Sequence, residues 1–329
     1  MRISKWIILA VVMGLCLVTG LGSLIAQEKY PSRAIEYVIP WPPGGSTDIA
    51  SRIFANELQK VLKSPVAPVN KGGASATIGG TAVYRAKKDG YTLLGSSLGW
   101  LLGSITLEGV PYDPLKDFVH ITKVSTTPHG IYVRKDSPIK TLEDLIDRAK
   151  KNPGAVSCGT AGSGSDGHYN IEIFQKAAGV QLKHVPFKGV SEVPPAVLGG
   201  HVDIGIGVVS AWLSFISSGD VRTIAITGTS RLKDLPGVPT FNERGLKQTF
   251  LNNWVGFSAP TGLPQPVMDV LAQASERIVK SKEFIDAVEK TGGVVEFMRS
   301  AEFHKMLEDE RKIGDAIAEN LGLKQAPKK

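Results

Sequence analysis

Apolar positions along this chain alternate between short runs of strand length and longer stretches with helical spacing, which predicts an α/β fold with mostly parallel sheets. Ile35–Ile39 reads as a strand, and Ile49, Ile53, Phe54, Leu58 and Leu62 then keep to one face of a helix. Val66–Val69 is a second strand, Ile78–Ala86 a helix, and Asp89-Gly90 a turn into the strand Tyr91–Leu94. A second series begins after Pro128. It opens with the strand Ile131–Val133 and a helix from the cap Thr141 to Lys150, with Glu143 and Asp144 at its positive end. Strands Ala155–Gly159, His184–Phe187, Val202–Val208 and Arg222–Thr227 follow, interleaved with helices Tyr169–Ala178, Pro194–Leu198 and Trp212–Ser217. After Pro260 the pattern is helical over Pro264–Lys280, Lys282–Lys290 and Ser300–Leu321. Gly292-Gly293 stops the middle helix, and only Val294–Phe297 has strand character there.

The two series suggest two lobes, and the length agrees. Arg2 and Lys5 precede the apolar run Trp6–Val18, which is shorter than the roughly 20 residues a spanning helix needs. Such a start predicts a secretory signal over residues 1–26, cleaved after Ala26, and so a periplasmic protein. Leu15 stands before Cys16 where a lipid anchor needs a small residue, which argues against that anchor. About 300 residues remain, more than one core usually holds. The chain carries 38 Lys+Arg against 31 Asp+Glu, a formal +7 that falls to +5 without Arg2 and Lys5. These charges form no basic block, so nucleic acid is not the expected partner. Cys158 is the one cysteine outside the signal and the six histidines are scattered, so no disulfide, metal or cofactor is expected.

The candidate chemistry sits in two glycine-rich turns, each between a strand and a helix. The first is Pro40 to Asp48. Its prolines, Pro43 among them, stiffen the loop, and Gly44 and Gly45 let amides turn toward a ligand. Ser46, Thr47 or Asp48 can cap the helix, whose N-terminus suits an anion; the same residues also fit an ordinary strand-to-helix turn. Trp41 could wall the ligand. The second turn is Thr160, Ala161, Gly162, Ser163, Gly164, Ser165, Asp166, Gly167 and His168, an anion cradle by composition. Its G-x-G-x-x-G spacing would suit a dinucleotide only with an acid about 20 residues on. His184-Val185-Pro186-Phe187 is followed by Lys188 instead. Ser96 and Ser97 at a lobe-one strand end, and Lys188 and Ser210 after lobe-two strands, complete the candidate ligand set. Asp48 and Asp203 are expected to brace backbone amides, and Trp212, Trp254 and Cys158 to be core. An enzyme built on Ser163 or Cys158 with a histidine lacks a G-x-S-x-G elbow, a metal set or an acid/base pair.

Several stretches together resemble one family. They are Tyr30-Pro31-Ser32-Arg33, Pro40 to Asp48, Asp89 to Leu94, Tyr112 to Phe118, His184 to Gly189, Gly200-His201-Val202-Asp203 and Leu235 to Thr240. In this order and spacing the sequence resembles the solute-binding proteins of tripartite tricarboxylate transporters, the Bug family, from Tyr30 to Leu323. The resemblance implies a two-lobed periplasmic binding protein of type II fold with a ligand cleft between the lobes. Lobe one would be residues 27–127 plus 253–329 and lobe two 128–252, with crossings near Pro128 and Asn252. It implies a small carboxylate held by backbone groups, small side chains and waters in the two turns. It also implies membrane transporter subunits as partners, and the protein is expected to be a monomer and not an enzyme. The family's first turn usually reads Phe-Ala-Ala-Gly-Gly, whereas this chain has Trp41-Pro42-Pro43-Gly44-Gly45, and Glu192-Val193-Pro194-Pro195 is also unusual. A sensory module presenting its ligand to a membrane kinase would use the same site.

Overall fold

A computed structural model describes residues 29–323, and the compact body begins at Arg33. The expected signal, its cleavage point and Cys16 lie outside the described residues.

Two sheets organise the body. The first contains β1 (Ile35–Ile39), β2 (Val66–Asn70), β3 (Thr92–Ser97), β4 (Phe118–Thr127), β10 (Asn253–Pro260) and β11 (Val294–Arg299), in the order β11-β4-β10-β3-β1-β2. The second contains β5 (His129–Arg134), β6 (Ser157–Thr160), β7 (Lys183–Pro186), β8 (Ile204–Val208) and β9 (Val221–Ile226), ordered β7-β6-β8-β5-β9. The helices used below are α1 (Ser46–Leu62), α2 (Thr77–Tyr84), α3 (Leu98–Thr106), α4 (Leu142–Lys151), α5 (Asp166–Ala178), α6 (Val193–Leu198), α7 (Gln265–Val279), α8 (Lys282–Glu289) and α9 (Ser300–Asn320).

The sheets are mixed, which corrects the mostly parallel expectation. Each holds one parallel triad, β2-β1-β3 and β7-β6-β8, formed by strand–helix–strand units. The strands that carry the chain between lobes add to these triads antiparallel. β10 pairs with β3 and β4, and β5 pairs with β8 and β9. The chain leaves the first sheet at Thr127, passes Pro128 and enters the second at His129. It returns between β9 and β10, whose first residue Asn253 pairs with Thr127. The two crossings therefore lie side by side.

Three of the longer elements escaped the periodicity: β4, β10 and α3. β4 and β10 are buried almost throughout, yet they carry polar residues that satisfy one another. Ser258 Oγ meets Ser96 Oγ at 2.9 Å and His120 Nδ1 at 3.1 Å. Lys123, 3 % exposed, gives its charge to Glu296 at 2.8 Å, and Thr126 donates to the same carboxylate at 2.6 Å. In α3, Gly99 and Gly103 break the helical signal because a Cβ at either would strike a neighbour, Trp41 Cζ2 at 2.5 Å and Ser75 O at 2.4 Å.

One core runs across the molecule. Leu101, Leu102 and Ile105 of α3 pack with Tyr169 of α5 and with Phe303 and Leu307 of α9, so the lobes share apolar contact behind the crossings. Trp212 stacks on Tyr132 within the second lobe, ring centroids 4.1 Å apart, and Cys158 is buried in β6. Trp254 is buried as expected, and its indole N–H donates to Glu310 Oε2 at 2.7 Å. Burial pushes the Glu310 carboxyl up to about 7 against the pull of that bond and of Lys123.

Candidate functional site

The first turn ends at the N-terminus of α1, a 17-residue helix with no side-chain cap at Gly45. The first amides of a helix have no intrahelical partner. Among the described residues nothing accepts from the amides of Gly45, Ser46 or Thr47. The loop around them is held from behind. Asp48, 3 % exposed, accepts from the Gly44 amide at 2.9 Å, from Arg52 Nε at 2.9 Å and from Asn70 Nδ2 at 2.7 Å. Asn70, at the end of β2, also donates to Trp41 O at 2.9 Å. Asp48 therefore braces the turn, as expected, and pairs with Arg52. Gly44 takes φ +88°, a region open to glycine, while Gly45 is extended. Trp41 lays its benzo edge on Gly99 and donates its Nε1 proton to Ser97 Oγ at 2.9 Å.

The second turn is braced differently. Ser165 caps α5 by accepting from the His168 amide at 3.3 Å, and its hydroxyl donates to Gly162 O at 2.7 Å. His168 accepts the Gly164 amide on Nδ1 at 3.0 Å, and its ring stacks on His184 at 3.9 Å. His184 Nε2 meets Thr160 Oγ1 at 2.6 Å. Burial first, then the neighbouring His184, lowers His168 to about 4, and burial also lowers His184. The pair is thus neutral near pH 7, which leaves His168 Nδ1 free to accept. The amides of Ala161 and Ser163 have no acceptor among the described residues and remain open to a ligand.

Both turns are tied to the paired crossings. Asn253 Nδ2 donates to Ser46 Oγ at 3.0 Å on the first turn. Its neighbour Asn252 accepts from Thr227 Oγ1 at 2.5 Å, and Thr227 Oγ1 accepts from the His129 amide at 2.8 Å. The buried His129 ring lies 2.9 Å from Asp166 Oδ2 at the second turn. Burial pushes Asp166 up, but His129 and the Gly167 amide pull harder and hold its carboxyl below its ordinary value. Asn170 of α5 clamps the return strand, donating to Leu251 O at 2.8 Å and accepting from the Leu251 amide at 2.9 Å. The chain of contacts Ser46–Asn253, Asn252–Thr227–His129 and Asp166 brings the two turns to one end of the crossing.

The other candidates divide. Ser97 lies beside Trp41, while Ser96 is turned inward against Ser258 and is not at the turns. Pro43 and Ser163 are exposed, and Thr47 and Thr160 are buried under their turns. Lys188 is exposed at the edge strand β7, its amide donating to Glu192 Oε2 at 3.2 Å, and Ser210 is half-buried just past β8. Asp203 braces the Ser157 amide at 2.8 Å, far from ligand chemistry. Asn70, His129, Asp166, Thr227 and Asn253 were not singled out by sequence. Only Asp166 carried a local signal, lying inside the second turn. A cavity of about 840 Å³ lies elsewhere, two helical turns further along α5 against α9, lined by Ile173, Lys176, Leu182, Lys312, Ile313 and Ile317. Gln175, Gln181, Gln248, Thr249 and Asn320 add polar groups to this lining. Among the described residues no group of His, Cys, Asp and Glu could hold a metal, and no helix is long and apolar enough to cross a membrane.

Known proteins share this architecture. The model of the tripartite tricarboxylate transporter family receptor matches residues 50–323, beginning just past the first turn. The chain is 32 % identical over 287 residues to protein BugT of Bordetella pertussis, covering 86 % of this chain and 88 % of that one. It is similar to a solute-binding protein of this type from Polaromonas, solved without ligand, at 28 % identity and TM-score 0.76, covering 88 % of this chain and 99 % of that one. It is also similar to an R. palustris protein solved with adipate, at 25 % identity and TM-score 0.77, covering 89 % and 98 % of the two chains.

Proposed function

The chain belongs to the tripartite tricarboxylate transporter receptor family, and we propose that it captures a small organic carboxylate in the periplasm and delivers it to the membrane subunits of such a transporter. The observation that carries this reading is the convergence of two amide-lined turns, one from each lobe, on a single pair of crossing strands. Uncapped helix amides hold a carboxylate without a cation because their dipoles face the charge. The adipate held by the R. palustris relative supports the ligand class. Lobe one is residues 27–127 with 253–329 and lobe two is 128–252. The lobes close over the ligand about the side-by-side crossings, and the protein works as a monomer after loss of its signal. In this reading the protein binds its ligand and does not transform it.

A thermal-shift panel of benzoate, hexanoate, malate, adipate and citrate tests the reading. A carboxylate that binds only the folded state raises the melting temperature in proportion to the logarithm of its concentration. Small-angle scattering of the protein with that ligand is expected to show a smaller radius of gyration. A panel without a single stabilising carboxylate contradicts the proposal.

A further inference from the structure

The last helix, α9, is fixed to the elements of the first sheet and yet lies along α5, which belongs to the second. Gly314 of α9 sits so close to α3 that a Cβ there would stand 2.9 Å from Ile105 Cδ1 and 3.0 Å from Leu102 Cδ2. Glu310 takes the Trp254 indole proton at 2.7 Å, and Phe303 covers Gly256 so closely that no Cβ would fit between them. Trp254 and Gly256 are both residues of β10. The other flank of α9 faces α5 across the cavity of about 840 Å³, with Ile313, Ala316 and Ile317 on one wall and Ile173 and Lys176 on the other.

Three levels follow one another along α5. Its start belongs to the second turn, where His168 accepts the Gly164 amide. Asn170 then grips the return crossing through its two bonds to Leu251. Ile173 and Lys176, further along, line the cavity. α9 touches α5 on both sides of the grip. At the turn end, Leu323 is set by the cap of α9, its amide donating to Ala318 O at 2.7 Å, and its Cδ1 would lie 3.7 Å from a Cβ on Gly164. The crossing is therefore gripped between the ligand turn and the cavity. A rotation of the second lobe about the crossing that carries the second turn toward the first lobe carries Ile173 and Lys176 away from α9.

We infer that the cavity between α5 and α9 is the back of the hinge: it widens as the lobes close, narrows as they open, and the size of the side chains on its walls sets the balance between the two forms. The inference rests on the lobe closure proposed above and goes beyond it. A bulky side chain in the cavity is penalised in the open form, where the walls approach, and is accommodated in the closed form. A ligand that needs the closed form binds with an apparent affinity reduced by the fraction closed. Raising that fraction from behind the hinge tightens binding without touching the ligand.

Two wedges test this from opposite walls. Ala316→Trp fills the cavity from α9 and Lys176→Trp from α5, both at exposed positions. Lys305→Trp, exposed on α9 away from the cavity, is the control. Circular dichroism melts confirm that each variant is folded. Small-angle scattering without ligand reads the balance directly. Both wedges are expected to have a smaller radius of gyration than the wild type, and the control an unchanged one. Calorimetric titration then uses whichever of benzoate, hexanoate, malate, adipate and citrate gives the largest thermal shift. Binding is expected to be about three- to tenfold tighter in both wedges and unchanged in the control. A wedge that only damaged the fold would weaken binding. An unchanged or larger radius in both folded wedges, or weaker binding in both, overturns this inference while the carboxylate reading stands. Smaller radii in both wedges with none of the five acids bound support the hinge inference and overturn the carboxylate reading.

Discussion

Valine in place of Gly45 is expected to weaken carboxylate binding ten- to a hundredfold and to cost about 1 kcal/mol of stability or less. The position separates binding from folding better than any other glycine of the two turns. Gly45 is extended, at φ −77° and ψ 164°, so an L side chain needs no new backbone conformation. A Cβ there meets nothing nearer than Pro42 O at 4.0 Å. The branched side chain projects ahead of the unpartnered amides of α1 and keeps an anion from reaching them. A charge-assisted bond lost in this way is worth roughly 1.5–3 kcal/mol, which is the stated loss of affinity. Gly44 and Gly164 are poorer probes. Both have positive φ, +88° and +74°, so valine would strain the turn itself, and the Gly164 amide is already given to His168. Titration of folded Gly45→Val with unchanged affinity would place the ligand elsewhere.

Glu310→Gln is expected to stabilise the protein at pH 8 by up to about 3 kcal/mol and to change little at pH 5. The wild-type carboxyl is buried beneath α9 and sits at about 7 instead of its ordinary 4.5. A raised acid in the fold means that the unfolded chain loses its proton first as pH rises. Stability from this group is therefore full below about 4.5, falls through the window up to about 7, and is flat above it. Glutamine keeps an oxygen for the Trp254 indole and carries no charge, so it removes that slope. Urea denaturation at the two pH values reads the difference directly. Parallel pH profiles for the two proteins would show that the buried carboxyl does not titrate in this window.

The sequence made the parallel triads legible because their strands are short apolar runs, most of them followed by a helix with apolar spacing. It hid β4 and β10 because both are buried among polar partners contributed by distant segments. His120, Ser258 and Ser96 satisfy one another across 162 positions, and Lys123 meets Glu296 across 173. No local pattern announces such pairs. α3 was masked by two glycines whose purpose is the close approach of Trp41 and Ser75. The same limit applied at the site. Both turns were visible, because Gly, Pro, Ser and Thr between a strand and a helix have a local meaning. Their bracing was not. Asn70 and Asn253 act on residues 22 and 207 positions away, and His129 reaches Asp166 only because the crossings lie side by side. Ser96 and Ser97 show the cost of reading a strand end without its neighbours, since adjacent side chains face opposite ways and only Ser97 meets the first turn.

The most direct measurement is a crystal structure of the protein with the carboxylate that gives the largest thermal shift. The account predicts carboxylate oxygens about 3 Å from one or more of the amides of Gly45, Ser46 and Thr47 on one lobe, with contacts to the Ala161–Ser163 segment on the other. A carboxylate found in the cavity between α5 and α9, or held on one lobe alone by exposed lysines, would contradict it.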